Sequence, residues 1–557
     1  MKAIVHILYF VGLIMPAQLS GQNQSFFVSD IATQSDTITI RLPVENSSAS
    51  DVIEKYLLSL TDTGYLNPHI IQVDTTDSEI LSLTLLKNNR HFLHSIQIQD
   101  ADHSEFILIE DWFSSNTVQS SIVQLSDKYI RMGYPFVMID AFGFHIADDT
   151  VRVSMQLHKG PLVTLRTLEF TGNSKLSEHY LAREAAFDKN VVFNPDTIDR
   201  VMSNLLRSRY IVDAIPVGII KIEDHYGFVV DVEEISSSRV NAIAGFEPST
   251  SNENRITGQI ELSLNNAIAE GSAFDLNYRR ISASTSRMDI SYEQSWIGGW
   301  PIGIALRTNI HQRDSTYNTI HLSSKVNYEW NSGLNTGIYI NYGRTNSATS
   351  NLAQLAVDNQ TWNVGAIIDI NELNRRLNPT SGYQIILDIS TGLKKILDPS
   401  VLSAEVQRQQ VQRRVYINLS NYTRLTNMLI LAQRIQAAHL NSRVFWEDDV
   451  FRYGGTNSLR GYREEQLQSI SYAWSDHEIR YLLDRYSYVF IFGAVGIDRY
   501  STGFGIVQPD INSNYLYSTG AGISYRIRLG ALKLTYAVGR DDSFLNGKVH
   551  FGITNSF

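Results

Sequence analysis

An arginine in a long polar segment is the residue of this sequence best suited to one specific interaction. The segment runs from Phe451 to Tyr462, is rich in glycine, and ends in Arg460-Gly461-Tyr462. Strand-like alternation precedes and follows it. A guanidinium that leaves bulk water needs a carboxylate or several carbonyl oxygens as partners. We therefore expect a loop that folds back between strands and is fixed there by Arg460; the alternative is a solvated loop arginine.

No other arrangement of residues in the sequence indicates catalysis. It has no Gly-x-Ser-x-Gly, no His-Glu-x-x-His and no phosphate-cradling glycine loop. The cysteine count is 0, which excludes disulfides, thiolate metal sites and cysteine nucleophiles. His91, His94 and His103 lie close in sequence but on different faces, so no metal site is expected. We predict a protein that is not an enzyme and that binds no cofactor and no metal.

The composition and the N-terminal residues limit the classes of protein to which this chain can belong. The 557 residues allow about three or four domains, and a net charge of −10 gives no basic stripe for nucleic acid. Lys2, the apolar run Ile4–Met15 and the small residues before Gln22 predict a signal peptide over residues 1–21. No later apolar run reaches about 18 residues. The chain is therefore expected outside the cytoplasm, either soluble or as a membrane β-barrel.

The N-terminal half reads as three similar α+β units. Each contains a strand, helical segments with one apolar face, and two further strands. Gly64-Tyr65 and Gly133-Tyr134 end the helices of the first two units, and Asn194-Pro195 begins a helix in the third. Three unrelated α+β domains are the alternative. The predicted boundaries are 37–89, 90–160 and 161–235.

The C-terminal half, residues 236–557, loses the helical period. About sixteen segments of roughly 10 residues alternate apolar and polar residues, as the strands of a membrane barrel do. Aromatic residues near segment ends suit an interfacial girdle, and a soluble sandwich is the alternative. The last segment alternates through Phe551 and Ile553 to the terminal Phe557. We predict an antiparallel transmembrane β-barrel of about sixteen strands.

The three units resemble POTRA domains, and the whole mature chain resembles the POTRA-containing outer-membrane assembly superfamily. This is the BamA/TamA family, of the bacterial surface antigen type, and a TamA-like arrangement fits best. Arg460-Gly461-Tyr462 is similar to the arginine-glycine-aromatic motif of the family's sixth extracellular loop. Glu478 and Arg480 are similar to its Glu-x-Arg strand motif, which makes them candidate partners of the loop. Ala494 stands where the family usually has aspartate.

The resemblance implies a location and a function. The barrel would lie in the outer membrane of a Gram-negative bacterium, with the POTRA arm in the periplasm. The barrel would contact outer-membrane lipids, and the protein's partners would be unfolded outer-membrane or secreted client proteins. The resemblance is also compatible with a partner protein in the periplasm or the inner membrane. Exposed sheet edges on the arm could receive client strands. A seam between the barrel's first strand, near 240–246, and its last strand would insert or export them. The alternatives are a two-partner secretion transporter and a passive porin or surface receptor.

Overall fold

A computed structural model describes most of the chain after its N-terminal residues. The described residues form two compact units, the first ending at Arg166 but including Asn190–Thr197, the second comprising Thr167–Lys189 and the residues from Ile198 onward. The predicted signal peptide and Phe557 lie outside the described residues. The described ranges are 31–32, 37–43, 49–77, 80–100, 104–235, 238–247, 255–280, 285–313, 316–331, 333–347, 356–403, 406–456, 458–505, 510–527, 530–540 and 542–554.

The first α+β segment is a four-stranded sheet with one helix. Its elements are β1 Ile31–Ala32, β2 Thr37–Pro43, α1 Ala49–Asp62, β3 His69–Asp77 and β4 Ile80–Leu86. The strand order is β1-β2-β4-β3, and Leu60 of α1 packs on Leu83 and Leu85. Gly64 has φ +97°, which allows the Tyr65 N–H to reach the carbonyl of Leu60 at 3.0 Å. This left-handed glycine ends the helix.

The second segment has one strand that the sequence did not predict. Its elements are β5 Phe92–Gln99, β6 Ser104–Trp112, α2 Ser115–Arg131, β7 Met138–Ala147 and β8 Thr150–His158. The order is β6-β5-β8-β7, with β5 and β8 parallel. In β6, Phe106 and Leu108 are exposed while Ile107 and Ile109 pack on the core. Because both faces of β6 are apolar, the polar–apolar alternation that marks a half-buried strand is absent.

The third segment leads into the C-terminal half. Its elements are β9 Thr164–Thr171, α3 Glu178–Glu184, β10 Val191–Val192, α4 Pro195–Arg207, β11 Ile211–Ile222 and β12 His225–Glu234. The strand order is β10-β9-β12-β11. The Asn194 side chain accepts a hydrogen bond from the Asp196 N–H at 2.8 Å, so it caps α4. The apolar face of α4 buries Ile198, Val201 and Leu205.

The remaining strands belong almost entirely to one sheet. They are β13 Ser238–Glu247, β14 Arg255–Asn265, β15 Ser272–Arg280, β16 Ser286–Gln294, β17 Ile302–Arg313, β18 Tyr317–Asn331, β19 Leu334–Ser347, β20 Asn359–Asn371, β21 Gly382–Ile396, β22 Gln409–Arg424, β23 Leu429–Asn441, β24 Phe451–Tyr453, β25 Leu467–Ser469, β26 Ser471–Leu482, β27 Tyr488–Ser501, β28 Ile511–Ile527, β29 Gly530–Gly539 and β30 Lys548–Thr554. All except β24 and β25 form a β-barrel-like, 16-stranded antiparallel meander.

The two outermost strands of the meander are β13 and β30. Within the ranges that the structure describes, no ladder joins these two strands. Each strand runs opposite to its neighbours, so successive connections lie alternately at the two ends of the sheet. Residues 442–470 form the connection between β23 and β26, and they contain the small hairpin of β24 and β25.

The two faces of the sheet differ in burial, with period two. In β27, Phe490 and Phe492 are buried, whereas Ile491 and Val495 are each 60% exposed. We call the face that carries Phe490 and Phe492 the inner face, and the other the outer face. An outer face of exposed aliphatic residues is what a lipid-facing barrel strand presents.

Candidate functional site

The loop of residues 442–470 lies on the inner face of the sheet. Its chain reverses at Gly454, Gly455 and Gly461, which have φ of +110°, +102° and +90°. A Cβ at Gly461 would lie 2.8 Å from Cβ of Ser518 and 3.1 Å from the backbone nitrogen of Gly539. Glycine at position 461 therefore permits both the left-handed turn and close contact with β28 and β29.

Arg460 is buried and bonded to β26. Its side chain is 2% exposed, with Nη2 at 2.5 Å from Asp476 Oδ2 and Nη1 at 2.6 Å from Glu478 Oε1. The guanidinium also lies 3.8 Å from the ring centre of Phe492. Two carboxylates and an aromatic face together balance the charge of a planar cation removed from water. The structure thus brings Arg460 and Glu478 together, and the role of the tripeptide in fixing the loop stays a prediction.

Arg480, the second candidate partner, does not pair with Arg460. Its Nε lies 2.7 Å from Glu478 Oε2, so the two arginines share one carboxylate. Its guanidinium lies 4.7 Å from the ring centre of Tyr488 and 5.1 Å from that of Tyr422. Arg480 therefore acts on Arg460 through Glu478, whose two oxygens are both engaged.

Asp476 is a partner that sequence reasoning did not select. It stands two residues before Glu478 in β26, so the period of the strand puts both carboxylates on the inner face. Arg434 reaches the same carboxylate at 3.4 Å. Ala494, at the position where the resemblance led us to expect an acid, is buried and packs in an apolar cluster with Tyr462 and Tyr472. The acidic partner therefore comes from β26 and not from β27.

The last strand also contacts the loop. The Gly461 N–H donates to Nε2 of His550 on β30 at 3.2 Å, and His550 is buried. Phe551, the neighbouring residue, is 60% exposed on the outer face. The Ile553 backbone pairs with Leu532 of β29, while the Ile553 side chain and all of Phe557 lie outside the described residues. Of the predicted seam residues, only Phe551 has a described side chain.

A second set of polar contacts holds the start of the loop, and the sequence reading missed it. Lys394 of β21 is fully buried, and its Nζ lies 2.8 Å from Asp449 Oδ1 and 3.2 Å from Asp448 Oδ1. Burial by itself raises the pKa of Asp448, but Lys394 and hydrogen bonds from Asn359 and Thr345 outweigh burial and hold that pKa below its ordinary value. Glu447 pairs with Arg452 at 2.9 Å and also with Arg313.

We call Glu447, Asp448 and Asp449 the acidic segment. The sequence offered one signal for this segment, namely three consecutive acidic residues that follow Trp446 in a loop. Their cation, Lys394, lies in the strand β21, which precedes the loop by two strands of the sheet. The loop is thus bound at two places, by the acidic segment on the β17–β22 side and by Arg460 on β26.

The third α+β segment contacts the sheet at the end opposite to this loop's attachment. Arg209 lies 2.5 Å from Asp275 and 3.4 Å from Glu293, and the Tyr210 hydroxyl donates to the Gly271 carbonyl at 2.7 Å. Burial by itself lowers the pKa of Arg209, but the hydrogen bond to Asp275 and the negative charges of Asp275 and Glu293 together outweigh burial and raise that pKa. Burial raises the pKa of Tyr180, which packs against Gly271. We call these contacts the junction.

The described part of the chain shows no group of three His, Asp or Glu side chains placed to hold a metal ion. Among the described helices, none has the length and apolar character needed to cross a membrane.

The long antiparallel meander and its internally bound loop, preceded by α+β segments, define a protein built on a barrel-like β-sheet. The family model described as the Omp85 superfamily domain matches residues 246–557. The chain therefore belongs to the Omp85 superfamily of POTRA-containing proteins, which act in assembly or secretion at the outer membrane of Gram-negative bacteria. The family predicted from the sequence is confirmed, while the particular likeness to TamA stays a prediction.

Solved structures of the same superfamily resemble the chain at low sequence identity. BamA from Haemophilus ducreyi lacking POTRA domains 1–3 has 14% identity and a TM-score of 0.44, over 80% of this chain and 93% of that one. CdiB from Escherichia coli has 13% identity and a TM-score of 0.45, over 89% and 94%. CdiB from Acinetobacter baumannii has 12% identity and a TM-score of 0.41, over 97% and 93%. No curated protein matches the sequence.

Proposed function

We propose that this chain is a non-enzymatic factor that inserts client proteins into the outer membrane or exports them across it. Its family supports a role in assembly or secretion. The three α+β segments, as POTRA domains in the periplasm, would form an arm that receives client strands by pairing at sheet edges. Three such segments ahead of the strands favour a TamA-like arrangement.

The contact between the loop and the last strand carries this proposal. Arg460 binds the inner face of β26 at 2.5 and 2.6 Å, while the Gly461 N–H donates to His550 of β30 at 3.2 Å. One tripeptide therefore connects an interior strand with an outermost strand of the sheet. A loop so placed can support β30 when the pairing of that strand with its neighbour changes.

The outermost strands supply the mechanism. In lipid, an unpaired strand edge is too costly to persist, so β13 and β30 would pair and close a sixteen-stranded barrel. A short or weak ladder between them would form a seam. Opening of the seam would offer an edge on which a client hairpin forms and then leaves into the membrane.

Depletion of the protein in its own organism tests the function. We expect quantitative proteomics of outer-membrane fractions to show loss of outer-membrane proteins, and wild-type protein to restore them. Arg460→Ala should restore them poorly, because the loop loses its bonds to β26. Arg413→Ala, a matched control, removes an exposed arginine of β22 and should restore them fully.

The pattern of loss separates the candidate functions. A broad loss indicates general assembly, and loss of a few proteins a specialised factor. Loss of one secreted protein from the medium, with outer-membrane levels unchanged, would instead favour a two-partner secretion transporter. Unchanged levels in both fractions would contradict assembly and secretion alike.

A further inference from the structure

A cavity of about 300 Å³ lies on the inner face between the Arg460 loop and the end of the sheet that carries the junction. Its charged lining is strongly unbalanced. Six cations line it against two carboxylates, Asp476 and Glu478. The cations are Arg376, Arg434, Arg460, Arg480, Arg526 and Lys533.

Both carboxylates of this cavity are already bound by two arginines each. Asp476 receives Arg460 at 2.5 Å and Arg434 at 3.4 Å. Glu478 receives Arg460 at 2.6 Å and Arg480 at 2.7 Å. Both arginines on Asp476 bind its Oδ2, and Asp476 Oδ1 accepts no hydrogen bond from a described residue. The two oxygens of Glu478 each hold one arginine, so the two carboxylates are shared among three arginines. Arg526 finds its carboxylate outside the cavity lining, at Glu233, 3.7 Å away.

Two cations of the lining remain, Arg376 and Lys533 of β29. Arg376 donates from Nη2 to the Arg209 carbonyl at 3.4 Å. Among the described residues, the Lys533 ammonium group forms no ion pair with a carboxylate, and it lies 5.2 Å from the ring centre of Phe490. The Arg460 guanidinium lies 5.3 Å from the same ring centre. The Phe490 ring therefore brings two cations to one part of the cavity. Burying cations without matching negative charge is expensive.

A second cavity on the inner face provides the comparison. It has a volume of about 510 Å³ and is lined by the three cations Arg307, Lys325 and Arg414, and by the three carboxylates Asp388, Asp448 and Asp449. Charge is balanced there without any ligand. The excess of cations is thus a property of the first cavity and not of the inner face in general.

We infer that the first cavity is a binding site for an oxyanion of the phosphate type. Several arginines offer forked N–H donors that match tetrahedral oxygens, and a lysine adds a point charge. A bound anion would bridge Arg460 of the loop to Lys533 of β29, which adds a bond between the loop and the sheet. The phosphate could be free or belong to a lipid headgroup. The inference is independent of the proposed function, because it rests only on charge and space.

The test uses the full chain in detergent and two lysine variants. Inorganic phosphate, titrated calorimetrically against chloride at equal ionic strength, should bind the wild type at one site and raise its unfolding temperature. Lys533→Met should weaken phosphate binding by about tenfold, as expected for the loss of one charged contact. Lys325→Met, in the balanced cavity, should bind phosphate as the wild type does.

Stability in chloride alone provides a further readout, which also shows that the variant folds. Lys533→Met should be at least as stable as the wild type there, because it removes a half-buried charge that forms no ion pair with a described carboxylate. Nanodiscs with phosphatidylglycerol, compared with phosphatidylcholine, identify a lipid source if they stabilise the wild type and not Lys533→Met. Equal binding by wild type and Lys533→Met, or no effect of either probe, would overturn the inference. Loss of clients on depletion would be unaffected by that result.

Discussion

At the scale of single residues, the charge count around Arg460 decides what each side chain contributes. Asp476 and Glu478 are shared among Arg434, Arg460 and Arg480. Removing an arginine leaves both carboxylates paired, whereas removing a carboxylate leaves an arginine buried beside another cation. Substitution of Asp476 or Glu478 should therefore destabilise the protein more than substitution of Arg460, although Arg460 is the residue that the sequence motif makes conspicuous.

We accordingly predict that Glu478→Gln destabilises the protein more than Arg460→Gln does. Loss of Arg460 removes one charged hydrogen bond, to Asp476, and an ion pair with Glu478, at a cost of about 1.5–3 kcal/mol. Loss of Glu478 leaves Arg480, which is 8% exposed, without its carboxylate, and an uncompensated buried charge costs about 3–5 kcal/mol. The measurement is the unfolding midpoint of purified protein, followed by its change of mobility on gels after heating.

Glu223→Gln is the control for this comparison. Glu223 is exposed and lies in the turn between β11 and β12, so its substitution should leave the midpoint unchanged. A larger loss for Arg460→Gln than for Glu478→Gln would show that the loop bond, and not the charge count, dominates the site.

At the scale of elements, the loop depends on the acidic segment as well as on Arg460. We predict that Lys394→Met frees the start of the loop, because Asp448 and Asp449 lose their shared buried cation, at a cost of about 3–5 kcal/mol. Lys395→Met is the matched control, since Lys395 is the next residue and is exposed. Limited proteolysis should cut residues 442–456 faster in Lys394→Met only. Equal cleavage of the two variants would contradict this role.

The same contacts should survive mild acid. The pKa of Asp448 in the folded protein lies below its ordinary value, so its contribution to stability is fully present above about pH 4, the unfolded pKa of aspartate. The contribution is lost as the pH falls through the lower folded pKa. The difference in proteolysis between Lys394→Met and Lys395→Met should therefore persist at pH 5. Its disappearance there would show that another group controls the loop.

Local periodicity explains which elements could be predicted from the sequence. Strands such as β27 alternate cleanly because one face is buried and the other exposed, and Gly64 and Gly133 mark helix ends because each has a positive φ. The strand β6 was not predicted, because it is apolar on both faces and therefore does not alternate. Arg460 and Glu478 were found through a resemblance. Asp476 and Lys394 were not predicted. Their roles depend on contacts between a loop and strands that are distant in sequence, and alternation along one strand carries no information about such contacts.

At the scale of the whole molecule, the second compact unit joins an α+β segment to the sheet through the junction. Arg209 lies between two carboxylates of neighbouring strands, Asp275 of β15 and Glu293 of β16. Trp296, in the connection after β16, donates from Nε1 to Glu184 at 2.8 Å. These contacts fix the third segment against the connections at one end of the sheet. Under the proposed function, a client strand received on the arm would reach the sheet in a defined orientation.

A charge exchange at the junction tests this coupling. Arg209→Asp places three carboxylates together, and Asp275→Arg opposes two cations, so each should lower the recovery of outer-membrane proteins after depletion. The double variant restores an opposite-charge pair and should recover most of the loss. Because Arg209 and Asp275 are 30% and 35% exposed, the pair itself contributes only about 0.2–1 kcal/mol to stability, and unfolding midpoints should change little.

Equal defects in the single and double variants would show that Arg209 acts through Glu293 or through packing. Full recovery by each single variant would show that clients reach the sheet without a fixed junction.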